Sequence, residues 1–212
     1  VPAETLLAPG FPGYNQDIAD QVVFDPERAQ DYLAEAGYPG GEGFPTVTFY
    51  WREEGGATQV VKPLAEYLQA QWQEILGINV ELGSGDVATW MDALMNTRYK
   101  MFLSPYAHDY VDPSNFFNIF VNPGSRHNWT NEEYNALVTE ANRTQTWEDR
   151  LELYDQAEQI LVVDEAAIAP LIHPLQHSLM KPYVIGEGAE PNDFGYYAGA
   201  QLYRWTHIEI AE

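Results

Sequence analysis

Tyr106-Ala107-His108-Asp109-Tyr110-Val111-Asp112-Pro113-Ser114-Asn115-Phe116-Phe117 is the stretch on which the fold reading turns. It packs two carboxylates, a histidine and four aromatic rings into twelve residues. It follows the short apolar run Met101-Phe102-Leu103, which reads as a buried strand. Pro113 sets a turn, with Asp112 and Asn115 as turn formers. Open α/β sheets bind ligands beyond the carboxyl ends of their strands, so carboxylates among aromatics at this place point to the mouth of a ligand site. The same residues also fit a self-contained loop, with Asp109 and Asp112 bonding local backbone and the rings in the core. On residue chemistry alone both readings stand.

Upstream of this stretch the pattern alternates between strand and helix. Thr46 to Trp51 has the period of a strand. From Thr58, the residues Val61, Leu64, Ala65, Leu68, Trp72, Ile75 and Leu76 form one helical stripe. Pro63 belongs near the start of that helix or kinks it, and Gly77 closes it. Ile78 to Leu82 alternates as a second strand. Strand, helix, strand of this length is a βαβ unit with its strands in parallel. Asp86 to Thr97 then reads as a helix with Trp90, Met91, Leu94 and Met95 on its inner side.

Before and after this core the signals are of other kinds. Asp25-Pro26-Glu27 opens a helix with an N-cap, a first-turn proline and an acidic residue; Gly37 ends it. Residues 1–23 show no long periodicity and read as an extended lead-in. Thr130-Asn131-Glu132-Glu133 is a capping box, and Thr146 caps a further helix. Ile168 to Ile172 and Gln176 to Met180 read as two closing strands. Residues 182–212 are rich in Gly, Pro and aromatics. The class expected is α/β, a mixed sheet flanked by helices, with its core over residues 24–181.

The chain has 212 residues, is 45% apolar and 14% aromatic, and carries a formal net charge of −22. That is a globular composition. Such a surface repels nucleic acid and anionic membranes and favours cationic ligands. There is no cysteine, so disulfides and thiolate metal sites are excluded. No apolar run reaches membrane-spanning length, and the N-terminus lacks a basic region followed by an apolar core.

Several ordered motifs resemble one family. Phe24-Asp25-Pro26-Glu27-Arg28-Ala29 through Tyr38-Pro39, the tail Leu76-Gly77-Ile78-Asn79-Val80-Glu81-Leu82, and the Asp109-Tyr110-x-Asp112-Pro113 loop are similar to those of extracellular solute-binding proteins of family 5, the peptide- and nickel-type receptors of ABC importers. The resemblance implies the C-terminal lobe of a two-lobed periplasmic-binding-protein-like fold. It implies that the N-terminal lobe is absent here, and that residues 182–212 pack on it in the whole protein. Asp109 is then expected to pair with a ligand α-ammonium, with Tyr106, His108, Asp112 and Phe116 around it and Met91 and Met95 on the apolar side. Partners implied are a peptide or similar small cationic solute, a membrane permease, and the missing lobe; self-association through the uncovered face is also expected. The location implied is extracellular or periplasmic, with a lipid anchor on the full-length precursor.

Two departures bear on the ligand. Val87 stands where the family places a pocket tryptophan, and Leu94 where some peptide receptors place an arginine for the ligand's carboxylate. Neither enzyme nor cofactor chemistry is expected: no phosphate loop, nucleophile elbow or His-Glu-x-x-His pair is present. No metal site is expected either. His127 has no second ligand fixed beside it, and Pro174 argues against a helical pair of His173 and His177. The alternative functions are an extracellular acidic hydrolase using a carboxylate pair, and a stand-alone dimerising interaction domain.

Overall fold

Asn15 and Asp25 open the first two helices. The Asn15 side chain accepts the Asp17 N–H (2.8 Å) at the start of α1 (Gln16–Ala19). Asp25 accepts the Arg28 N–H (3.0 Å) at the start of α2 (Pro26–Glu35), where Pro26 has no N–H to leave unpaired. The chain continues through β1 (Val47–Arg52) and α3 (Thr58–Gln71), whose last turn widens over Trp72–Leu76. Then come β2 (Val80–Gly85), α4 (Val87–Met95), β3 (Met101–Leu103) and the short α5 (Ser114–Phe117). Helices α6 (Glu132–Ala141) and α7 (Trp147–Glu158) follow, and β4 (Val184–Ile185) pairs antiparallel with β5 (Glu209–Ile210). The computed structural model describes residues 1–53, 58–96, 98–121, 127–174, 181–186 and 209–210.

The described residues group into two compact units. One, the sheet unit, comprises Val23–Asp109 and Ile119–Asn131; the other, the helical unit, comprises Val1–Val22, Tyr110–Asn118 and Glu132–Glu212.

The sheet unit is built around β1. Its strand order is β2-β1-β3, and both neighbours run parallel to β1, with Val47 opposite Val80 and Phe49 opposite Met101. Alternate β1 side chains serve opposite faces. Phe49 and Trp51 pack with Ala65, Ile78 and Val80 on the α3 side, while Tyr50 packs with Trp90, Ala93 and Leu94 of α4. A strand buried on both faces explains why its sequence reads as a nearly continuous apolar run. The α/β class with flanking helices is what is observed. The sheet itself is parallel rather than mixed among the described strands.

Gly77 ends α3 in the left-handed region (φ 68°). A Cβ there would collide with the Gly40 carbonyl oxygen, so the α2–β1 connection crosses this turn at backbone distance. Gln30 ties the same crossing by donating to the Ile75 carbonyl (2.8 Å). Pro63 lies inside α3, five residues beyond its first.

The helical unit is an α6–α7 hairpin with residues 1–22 laid against it. Tyr134, Val138, Ala141, Tyr154, Ala157 and Leu161 are buried, and so are Leu7, Phe11 and Ile18 of the first segment. Residues 1–22 are therefore core-forming, not a lead-in. Their partners lie far along the chain, Glu158 for the Leu6 N–H and Phe116 for Phe11, which is why no period marks them. The grouping also differs from a single core over 24–181, because residues 110–118 and the α6–α7 hairpin cluster with this segment. Among the described residues the expected strand Ile168–Ile172 makes one antiparallel bridge, Ile172 with Pro2. The expected strand Gln176–Met180 lies outside the described residues, as does most of 182–212.

Candidate functional site

Residues 104–117 leave the carboxyl end of β3, at the edge of the parallel sheet where β1 lies between its two neighbours. In such a sheet the connections depart to either side of the central strand, and the crevice beyond the strand ends is the natural ligand position. The boundary between the two units crosses the loop at Asp109–Tyr110. Of the seven predicted site residues, Tyr106, His108, Asp109, Met91 and Met95 belong to the sheet unit; Asp112 and Phe116 belong to the helical unit.

In the sheet unit, Tyr106 and Asp109 are exposed and His108 is half-buried. Burial lowers the His108 pKa below the usual imidazole value, and the Asp109 charge only partly opposes this, so the ring favours its neutral form. Met91 packs on the Tyr50–Trp90 cluster, whereas Met95 is 50% exposed one turn further on. Tyr50 stacks on Tyr99 with ring centroids 4.3 Å apart, and its hydroxyl lies where a Cβ on Gly85 would sit. The Arg52 guanidinium, at the carboxyl end of β1, stands 6.0 Å from the Trp90 ring centroid.

In the helical unit the loop is tightly determined. Asp112 accepts the Ser114 N–H (2.9 Å), and its carbonyl accepts the Asn115 N–H (3.1 Å), as a turn-forming aspartate should. Both Asp112 oxygens are also held by Arg150 of α7, at 2.6 Å each. Burial pushes the Asp112 carboxyl up, but the bonds from Arg150 and Ser114 outweigh it and leave the group below the usual carboxylate range. Phe116 packs edge-on against Phe11 (5.3 Å), and the Phe117 carbonyl accepts the Tyr134 hydroxyl (2.8 Å).

Arg150 is the residue that sequence reading missed. It lies 38 positions from Asp112, and no spacing rule pairs them. The available signal was local: Trp147 and Tyr154, three before and four after, face Arg150 along one helical stripe and both rings carry its guanidinium, at 5.6 and 5.3 Å. A cavity of about 360 Å³ in the helical unit, bordered by Asn15, Asp17, Gln21, Asp155 and Asp164, includes none of the seven predicted residues.

The family model for bacterial extracellular solute-binding proteins, family 5 (middle region), matches residues 1–128. Heme-binding protein A of Haemophilus influenzae is 30% identical over 201 residues, covering 92% of this chain and 36% of that protein. The dipeptide-binding protein of Escherichia coli is 25% identical over 197 residues, covering 90% of this chain and 36% of that one. Among solved structures, a periplasmic oligopeptide-binding protein of an oligopeptide ABC transporter from Borrelia burgdorferi superposes with a TM-score of 0.67 at 28% identity, over 77% of this chain and 32% of that one. The chain thus spans little more than a third of the length of the relatives it matches. With the family model matched over well over half of its residues, the chain belongs to the bacterial extracellular solute-binding proteins of family 5.

Proposed function

We propose that this chain is one lobe of the substrate-binding component of an ABC importer, capturing an oligopeptide or similar small cationic solute between two lobes. The observation that carries the reading is the position of Asp109: an exposed carboxylate in the loop leaving β3, at the carboxyl end of a parallel sheet. Asp109 receives the ligand's ammonium group. Tyr106 and His108 flank it with an aromatic ring and a neutral imidazole, and Met91 and Met95 supply the apolar side. Phe116 and Asp112 shape the loop beyond, Asp112 through its bond to Arg150. The net charge of −22 favours a cationic solute over an anionic one. Peptide binding is named for two of the relatives reported above, and heme binding for the third. The receptor works without turnover, with a membrane permease as its downstream partner and a lipid anchor on the precursor. The second lobe of the same protein covers the face this lobe presents.

The test is calorimetry on the full-length, two-lobed protein with the ligand that co-purifies, identified by mass, and with its N-acetylated form. Losing one charge-assisted contact costs about 1.5–3 kcal/mol, roughly a ten- to hundredfold drop in affinity. Asp109→Asn keeps the shape and removes the charge. It should weaken the amine form by that factor and leave the acetylated form nearly unchanged. Equal loss for both forms, or none for either, assigns Asp109 to loop structure alone.

A further inference from the structure

Glu158, near the end of α7, is fully buried, and it is the one charged side chain in that state among the described residues. Its Oε1 accepts the Leu6 N–H at 2.6 Å, and the Leu7 N–H also faces the carboxyl. Its Oε2 meets no hydrogen-bond partner among the described residues. The groups around it can be named element by element. Segment 1–22 contributes the two N–H groups, α6 contributes Tyr134, and α7 itself contributes Asp155. None of these is a cation. Two N–H dipoles cannot replace the hydration that an ionised carboxylate loses on burial.

We propose that Glu158 is a proton-controlled latch: protonated, it holds segment 1–22 against α7, and ionised, it releases that segment. The physical reason is where the charge can go. With the segment docked, an ionised Glu158 has one oxygen buried with no hydrogen-bond partner among the described residues. Opening the seam between Leu6 and α7 brings solvent to it. Burial pushes the docked carboxyl up to about 7, against the pull of the Leu6 and Leu7 N–H groups and with a small push from Asp155. Undocked, it returns to the ordinary carboxylate value. The docked state therefore binds the proton more tightly. Its advantage is complete at pH values below the ordinary carboxylate range and is lost as the pH rises towards and through about 7.

Two other groups titrate against the same segment, Asp155 and His173. Burial pushes the Asp155 carboxyl up although Asn15 bonds to it, with a further push from Asp17, and Asp155 is present in both proteins compared below. The Val1 nitrogen donates to the His173 carbonyl and the His173 N–H donates to the Val1 carbonyl, both at 2.9 Å. Burial holds the His173 ring below the usual imidazole range, so it charges only on the acid side and there opposes docking. It is present in both proteins compared below and cancels between them.

Hydrogen–deuterium exchange of the full-length protein, read on peptides from residues 1–22 and corrected for the intrinsic pH dependence of exchange, gives the test. Between pH 5 and pH 8 the wild-type segment should gain about tenfold or more in exchange relative to Glu158→Gln, since each unit of pKa difference is a factor of ten in the docking equilibrium. The Gln side chain keeps the acceptor for Leu6 and cannot ionise. The same pH dependence in both proteins overturns the latch. A second measurement needs no variant: carbon-detected titration of the Glu158 carboxyl in the wild type. An inflection near neutrality supports the latch, and one in the ordinary carboxylate range overturns it.

Discussion

Arg150 grips Asp112 through both terminal nitrogens, each 2.6 Å from a different carboxylate oxygen. The pair is largely sealed, with 17% and 24% of the two side chains exposed. Arg150 also donates to the Ala141 carbonyl and the Tyr154 hydroxyl, both at 3.2 Å. One side chain thus ties the loop after Tyr110 to α6 and α7. A lysine keeps the charge but loses the planar fork and the ring stacking. Arg150→Lys should destabilise the protein by about 1–3 kcal/mol, read as a lower urea midpoint at unchanged slope. An unchanged midpoint would show that the fork contributes nothing beyond its charge.

The same pair sets an acid limit. Asp112 keeps its charge in the fold below the usual carboxylate range, because the bonds from Arg150 and Ser114 outweigh the cost of burial. A depressed carboxyl adds stability that is present above the ordinary range and is lost as the pH falls through the folded value. Melting temperature should therefore fall between pH 5 and pH 3 with a contribution from this group. Asp112→Asn should melt lower at pH 6 but show a shallower fall on acidification. Parallel curves for the two proteins would remove Asp112 from the acid transition.

Much of the sheet unit is legible in the sequence because local and global signals agree there. Phe49, Tyr50 and Trp51 read as a strand and are one. The stripe from Val61 to Leu76 reads as a helix and packs on that strand, and the strands expected over Thr46–Trp51 and Ile78–Leu82 do run in parallel, paired as Val47–Arg52 with Val80–Gly85. The helical unit is less legible. Leu7, Phe11 and Ile18 are buried, Phe11 against Phe116 more than a hundred positions away, and their own neighbours give no period. The Ile168–Ile172 run has strand composition but meets the first segment only at its end, where the Ala3 N–H donates to the Leu171 carbonyl and Ile172 bridges Pro2. For the loop, Asp112 as a turn former is readable from Pro113, whereas its ion pair depends on a helix that no spacing connects to it.

Gly77 gives a test of the backbone crossing. Its φ of 68° disfavours any residue with a Cβ, and the added carbon would strike the Gly40 carbonyl. Gly77→Ala should cost about 1–3 kcal/mol, more than the left-handed conformation alone would ask. The control is Gly37→Ala, which has φ 92° and open space around its Cβ position. The thermal shift of Gly77→Ala should clearly exceed that of the control; equal shifts would mean that conformation, not the close approach, sets the cost.

Met91 and Met95 share a helical face, yet the structure gives them different surroundings. Met91 packs against the cluster of Tyr50, Trp90, Ala93 and Leu94, while half of Met95 is open to solvent. Truncating a packed methionine leaves a void that its neighbours fill only in part, whereas truncating an exposed one removes little. Met91→Ala should therefore lower stability by about 1–2 kcal/mol, and Met95→Ala by less than about 0.5 kcal/mol. Ligand affinity separates the roles further. If Met95 forms the apolar side of the proposed site, Met95→Ala in the two-lobed protein should weaken binding about three- to tenfold with its melting temperature unchanged, the loss expected for apolar area no longer covered by ligand. Because it carries no charge, its effect should be the same for the amine and the N-acetylated ligand, unlike that of Asp109→Asn. Unchanged affinity in Met95→Ala, with Asp109→Asn behaving as proposed, would place the ligand beside the loop but away from α4.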